Sequence, residues 1–139
     1  MPRDAAVHIH AKSEWINVHQ NVVQQVDCWY DIWNPPAPVT DGWSDMKLTV
    51  AKLQSLIAQA VHDNVRLRAY GGAWALSPVA VTNGRLINTK PLNWWFPLKP
   101  NHISPSYSGS AANVVFAQCG ISILELNDHC SSARVSLEW

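Results

Sequence analysis

The stretch from Val65 to Asn93, VRLRAYGGAWALSPVAVTNGRLINTKPLN, constrains this chain more than any other. Val65, Leu67 and Ala69 alternate with Arg66, Arg68 and Tyr70, the period-two pattern of a half-buried strand. That strand runs into Gly71-Gly72, where no Cβ holds the backbone away from a neighbour. Asn83-Gly84 then marks a tight turn into a second short strand, Arg85 to Thr89. Consecutive amides in such a glycine turn can form an anion-binding concavity suited to a phosphate or pyrophosphate. The pattern is neither the Rossmann nor the Walker motif, which need further glycines or a lysine at set offsets. Taken alone, Gly71-Gly72 reads more simply as a tight turn between strands.

The surrounding segments set that turn in a mixed domain. Leu48 to His62 reads as a helix, with Leu53, Leu56, Ile57, Ala60 and Val61 recurring at three- and four-residue spacing. Ser44 or Asp45 is the expected N-cap, and Asn64 can take the left-handed conformation that ends a helix. Trp15 to Trp33 alternates in part and reads as one or two short strands or an irregular packed arm. Met1 to Ser13 is polar and is expected to be loosely ordered. Asn34 to Asp45, NPPAPVTDGWSD, is loop. Trp94 to Ala112 is a long loop, Asn113 to Cys119 a third strand, and Ile121 to Cys130 a short helix. Ser131 to Trp139 shows no clear continuation. Strands separated by helices indicate a mixed α and β domain.

Composition narrows the function classes. The 139 residues are 47% hydrophobic and only 14% charged, so a sizeable core can form. Net charge is zero, which supplies no basic field for nucleic acid or anionic lipid. No apolar run approaches the roughly 20 residues of a membrane helix, and no secretory leader is evident, so a cytoplasmic location is expected. Cys28, Cys119 and Cys130 are odd in number and suggest free thiols rather than a disulfide framework. His8 and His10 lie two apart, with His19 following, but no fourth ligand accompanies them, so they read as surface histidines and no metal site is expected. Arg66 and Arg68 could approach a phosphate but read as solvent-facing strand charges, and Glu125 and Asp128 as a solvated helix face.

Three blocks in order, RLRAYGGAWALSP, NGRLINTKPLN and VVFAQCGISILELND, resemble the N-terminal half of the FAD-binding domain of the vanillyl-alcohol oxidase / p-cresol methylhydroxylase family. The matching residues are Gly84, Leu86, Ile87, Asn88, Thr89, Leu92 and Asn93, then Val115, Gly120, Ile123, Glu125, Leu126 and Asn127. The resemblance spans roughly Leu48 to Asp128. It implies an α+β fold, the N-terminal portion of a p-cresol methylhydroxylase-type FAD-binding domain with a short mixed sheet and flanking helices. It implies that Tyr70, Gly71, Gly72, Ala73, Trp74 and Ala75 wrap the FAD pyrophosphate, with the Ser77 hydroxyl within the same loop. Leu86 to Asn93 would pack beneath. The implied activity is oxidation of a small organic substrate by hydride transfer to FAD, and no catalytic residue is assigned.

Two departures from the family pattern matter. Trp74 stands where many members carry a histidine bonded covalently to the flavin, so any FAD is expected to be non-covalent. The chain also stops at Trp139 without the family's next Gly- and Ser-rich flavin segment, so a truncated domain is expected. Residues 1–45 would then be an arm and Pro-rich loop, and 46–139 a partial FAD-binding domain. Two alternatives remain open. One is a non-catalytic folding or interaction module whose unpaired sheet edge self-associates. The other is a sugar-binding platform on Trp94-Trp95.

Overall fold

The computed structural model describes residues 4–36, 42–80 and 82–132. Part of the Pro-rich loop, at 37–41, and the terminal segment past Ser132 lie outside the described residues. The chain divides into two compact units, Met1–Leu92 and Asn93–Trp139.

The first unit carries a four-stranded mixed sheet. Strands β1 (Ala6–Ile16) and β2 (Val23–Trp33) form an antiparallel hairpin; after helix α1 (Gly42–His62) come β3 (Leu67–Tyr70) and β4 (Arg85–Asn88). The spatial order is β1-β2-β4-β3, with β4 parallel to both of its neighbours. The N-terminal segment expected to be a loose or irregular arm therefore supplies half the sheet as two eleven-residue strands. Its hydrophobic alternation is diluted by histidines, lysine and glutamines, so the pairing is decided across the hairpin rather than within either strand.

Strand β4 is central, and its two middle residues are covered on both faces, since Leu86 is fully buried and adjacent Ile87 nearly so. Ile87 joins Tyr30, Ile32, Leu56 and Leu92 in one cluster, flanked by Val7, Cys28, Leu53 and Leu67. Leu86 joins Trp15 and Val26 in a second, flanked by Val22, Trp29, Tyr70, Ala73 and Ala80. Burying each such leucine or isoleucine side chain contributes about 2 kcal/mol.

Helix α1 departs from the expected stripe. Its buried residues are Asp45, Thr49, Leu56 and Ala60, whereas Ile57 and Val61 are exposed. The helix begins at Gly42, more than a turn before Leu48, so Ser44 and Asp45 lie within it rather than at its cap. The core side of the helix carries Asp45, Thr49, Leu56 and Ala60, which leaves Ile57 and Val61 facing outward. The C-terminus follows expectation. Asn64 has φ 52°, Asn64 N–H donates to Val61 O and Val65 N–H to Ala60 O. This double closure is a Schellman cap.

In the second unit β5 (Trp95–Pro97) pairs antiparallel with β6 (Val115–Ala117), followed by helix α2 (Ile123–Ser132). The segment expected to be loop from Trp94 thus contains a short strand. Ser122 caps α2. Its backbone N–H and hydroxyl donate to Glu125 Oε2 at 2.7 and 2.6 Å, and Glu125 N–H donates back to Ser122 Oγ. Glu125 is therefore part of a capping box, not merely a solvated charge.

Candidate functional site

The glycine loop leaves the carboxyl end of β3, on a sheet region where β2, β4 and β3 all run parallel. In open sheets with parallel strands, ligands sit outside the strands' carboxyl ends. A cavity of about 300 Å³ opens there, and Tyr70, Gly71, Gly72, Ala73, Trp74 and Ala75 all line it. Ser77 is exposed and is not among the lining residues. A larger hollow of about 410 Å³ lies by Gly84 and Asn64, at the opposite ends of β3 and β4. Its position does not match the parallel-strand rule.

The loop's backbone differs from the simplest glycine-turn expectation. Neither glycine has positive φ; the left-handed residue is Ala73, at φ 55°. Of the two, only Gly72 is crowded. A Cβ on Gly72 would come within 2.7 Å of Trp74 Cδ1, because the indole folds back over the turn. Among the described residues, no backbone carbonyl accepts from the amides of Gly71, Gly72 or Ala73. Such amides remain available to an anion.

The loop is held in place from several sides. Tyr70 O accepts from the backbone N–H and the hydroxyl of Thr89. Arg68 donates to Val79 O, so this arginine ties the returning end of the loop rather than facing a ligand. The β1–β2 hairpin turn supplies the rest. Asn17 is almost fully buried, and its amide group donates to Asn21 Oδ1 and Ala75 O while accepting from the backbone N–H groups of Asn21 and Val22. Asn21 in turn donates to Leu76 O, and Val18 N–H donates to Ala73 O. Trp74 meets His19 of the same hairpin turn edge to face, with ring centres 5.4 Å apart. Nothing in the sequence near residue 17 signals this clamp, since its partners lie 58 and 55 positions away.

Tyr70 begins the loop and also belongs to a polar row across the sheet. The register sets His8 opposite Asp31, Asp31 opposite Asn88, and Asn88 opposite Tyr70. Side chains of directly opposed residues share a face. Asp31 Oδ2 contacts His10 Nε2 at 2.7 Å, and Asn88 donates to Asp31 Oδ1 at 2.8 Å. Burial, reinforced by the negative charge of Asp31, pushes the Tyr70 phenol up to about 12. The phenol therefore stays protonated well past neutral pH. The histidines expected to be simple surface residues thus meet a carboxylate that only strand pairing brings to them. The signal was their spacing of two, which on a strand places both on one face.

Elsewhere, the Trp95 ring stacks on His129 at 5.1 Å, so one face of the supposed Trp94-Trp95 platform is already covered. Among the described residues no helix is long and apolar enough to cross a membrane. No protein family, curated protein or solved structure was found to match this chain.

Proposed function

We propose that this chain is the FAD-binding portion of a flavin-dependent oxidoreductase that oxidises a small organic substrate by hydride transfer to FAD. The observation that carries this reading is the loop at the carboxyl end of β3. It combines two consecutive glycines, a left-handed Ala73 and uncommitted amides around a cavity of about 300 Å³. Such a wall suits a pyrophosphate, since backbone N–H groups neutralise it without a basic side chain. The resemblance of the three sequence blocks to the FAD-linked oxidase family supplies the cofactor's identity. The residues proposed to hold it are Tyr70, Gly71, Gly72, Ala73, Trp74 and Ala75, with Ser77 outside the cavity wall. Trp74 offers a ring to lie against and no imidazole to bond covalently, so the FAD is held non-covalently. When bound, FAD supplies the hydride-accepting chemistry; the chain's residues bind and orient it.

Titration of the purified chain with FAD tests this reading. The expected result is saturable binding with a perturbed flavin absorption spectrum and quenched tryptophan emission, because Trp74 is 68% exposed at the loop. Absence of saturable binding sinks FAD binding by this chain.

A second reading has one observation in its favour. Ile57 and Val61 are exposed on α1, and Leu76 is exposed just past the glycine loop. A non-catalytic interaction module would cover such surfaces with a partner or a second copy. Concentration-dependent sedimentation of the cofactor-free chain, unchanged by FAD, would favour this alternative.

A further inference from the structure

Strand β1 presents His8 and His10 on one face, and β2 presents Asp31 directly opposite His8. One ligand atom from each of these three residues can be chosen so that all lie within 4.8 Å of one another. Around a tetrahedral Zn²⁺ with bonds of about 2.0–2.1 Å, ligand atoms are roughly 3.4 Å apart. The His10–Asp31 contact of 2.7 Å would open slightly and His8 would swing inward, changes within reach of side-chain rotation. Two imidazoles and one carboxylate are the donor set that first-row divalent ions take with positions left open.

The cluster also has the outer support that such ligands require. Asn88 donates to the Asp31 oxygen that does not touch His10, fixing the carboxylate plane. Trp29, the cross-strand partner of His10, meets its ring edge to face at 5.0 Å and limits its rotation. His8 is exposed, while His10 and Asp31 are half-buried, so the open side faces solvent. Ligands held by neighbours in this way keep their orientation and bind more tightly.

We propose that His8, His10 and Asp31 bind a divalent transition-metal ion of the Zn²⁺ type, with Asn88 and Trp29 orienting the ligands. The site stands independently of the flavin reading. It needs only the hairpin and β4, and it takes a cation where the glycine loop would take an anion.

The test is calorimetric titration of the full chain with Zn²⁺, and with Co²⁺ as a visible-absorbing substitute. One ion per chain is expected, with Co²⁺ bands of low-coordinate nitrogen and oxygen ligation. His8→Ala, Asp31→Asn and His10→Ala should each weaken binding at least 10-fold. Asn88→Ala should weaken it about 10-fold through the carboxylate. His19→Ala, at a histidine outside the cluster, should leave it unchanged. His8 is exposed, so His8→Ala keeps the test valid if His10→Ala fails to fold. Absence of one-to-one binding overturns the proposal. So does undiminished binding in His8→Ala and Asp31→Asn, which would place the ion on other histidines.

Discussion

Asn17 is the residue whose loss tests the architecture of the candidate site most directly. Its side chain makes four hydrogen bonds from an almost fully buried position: two as acceptor at 3.1 Å each, and two as donor at 2.7 and 3.0 Å. Replacement by alanine strips the backbone N–H groups of Asn21 and Val22 and the carbonyl of Ala75 of their partner. At about 1 kcal/mol per bond the four total about 4 kcal/mol. Asn21 is exposed and water replaces part of its share, which leaves about 3 kcal/mol. With a urea slope of about 2 kcal/mol per molar, the unfolding midpoint should fall by about 1.5 M. Tryptophan emission reports the transition, because Trp15 lies two residues away and is 4% exposed. Asn17→Asp should be nearly as harmful. It keeps the acceptor but sets a carboxylate against Asn21 Oδ1 and the Ala75 carbonyl. Asn21→Ala should cost only about 1 kcal/mol. A midpoint shift below about 0.3 M for Asn17→Ala would refute the claim that this side chain ties the hairpin turn to the glycine loop.

Two further outcomes follow from the same geometry. Gly84→Ala should destabilise by more than about 2 kcal/mol, whereas Gly71→Ala should cost under about 0.5 kcal/mol. A Cβ on Gly84 would collide with the Arg66 carbonyl oxygen and sit 2.9 Å from Val65 Cγ1, but one on Gly71 meets only Thr89 Oγ1 at 3.8 Å; thermal unfolding of the two variants compares them, and equal losses would contradict the packing. Tyr70 has its phenol raised from 10.0 to about 12. Its contribution to stability is therefore complete below pH 10 and is lost as pH rises toward 12. Tyr70→Phe should flatten that alkaline decline and remove one late-ionising phenol from the absorbance titration; an unchanged titration curve would refute the assignment.

Much of the local structure was set by short-range sequence chemistry. Asn64 ends α1 because its side chain tolerates the left-handed conformation, and φ 52° is what the structure has. Alternation from Val65 to Tyr70 located β3 to within two residues, and the turn at Asn83-Gly84 located β4 nearly to the residue. The small, unbranched residues after Tyr70 located the loop that lines the cavity. These features depend on a residue and its immediate neighbours, so they are readable in one dimension.

What the tertiary structure decided were pairings between distant residues. The alternation within residues 6–33 is too diluted by polar side chains to reveal two long strands, and only the hairpin register resolves them. Ile57 and Val61 fit a helical stripe in sequence, but the sheet takes the side of α1 that carries Thr49, Leu56 and Ala60. Asn17 gains its role from Ala75, and His8 and His10 theirs from Asp31 and Asn88. A hydrogen bond or a ligand set requires atoms a few ångströms apart, and the chain brings those atoms together only by pairing β1 with β2 and β2 with β4. The sequence alone determined that a glycine loop would follow a strand; the sheet determined which carbonyls hold it, which cavity it closes and which histidines acquire a carboxylate.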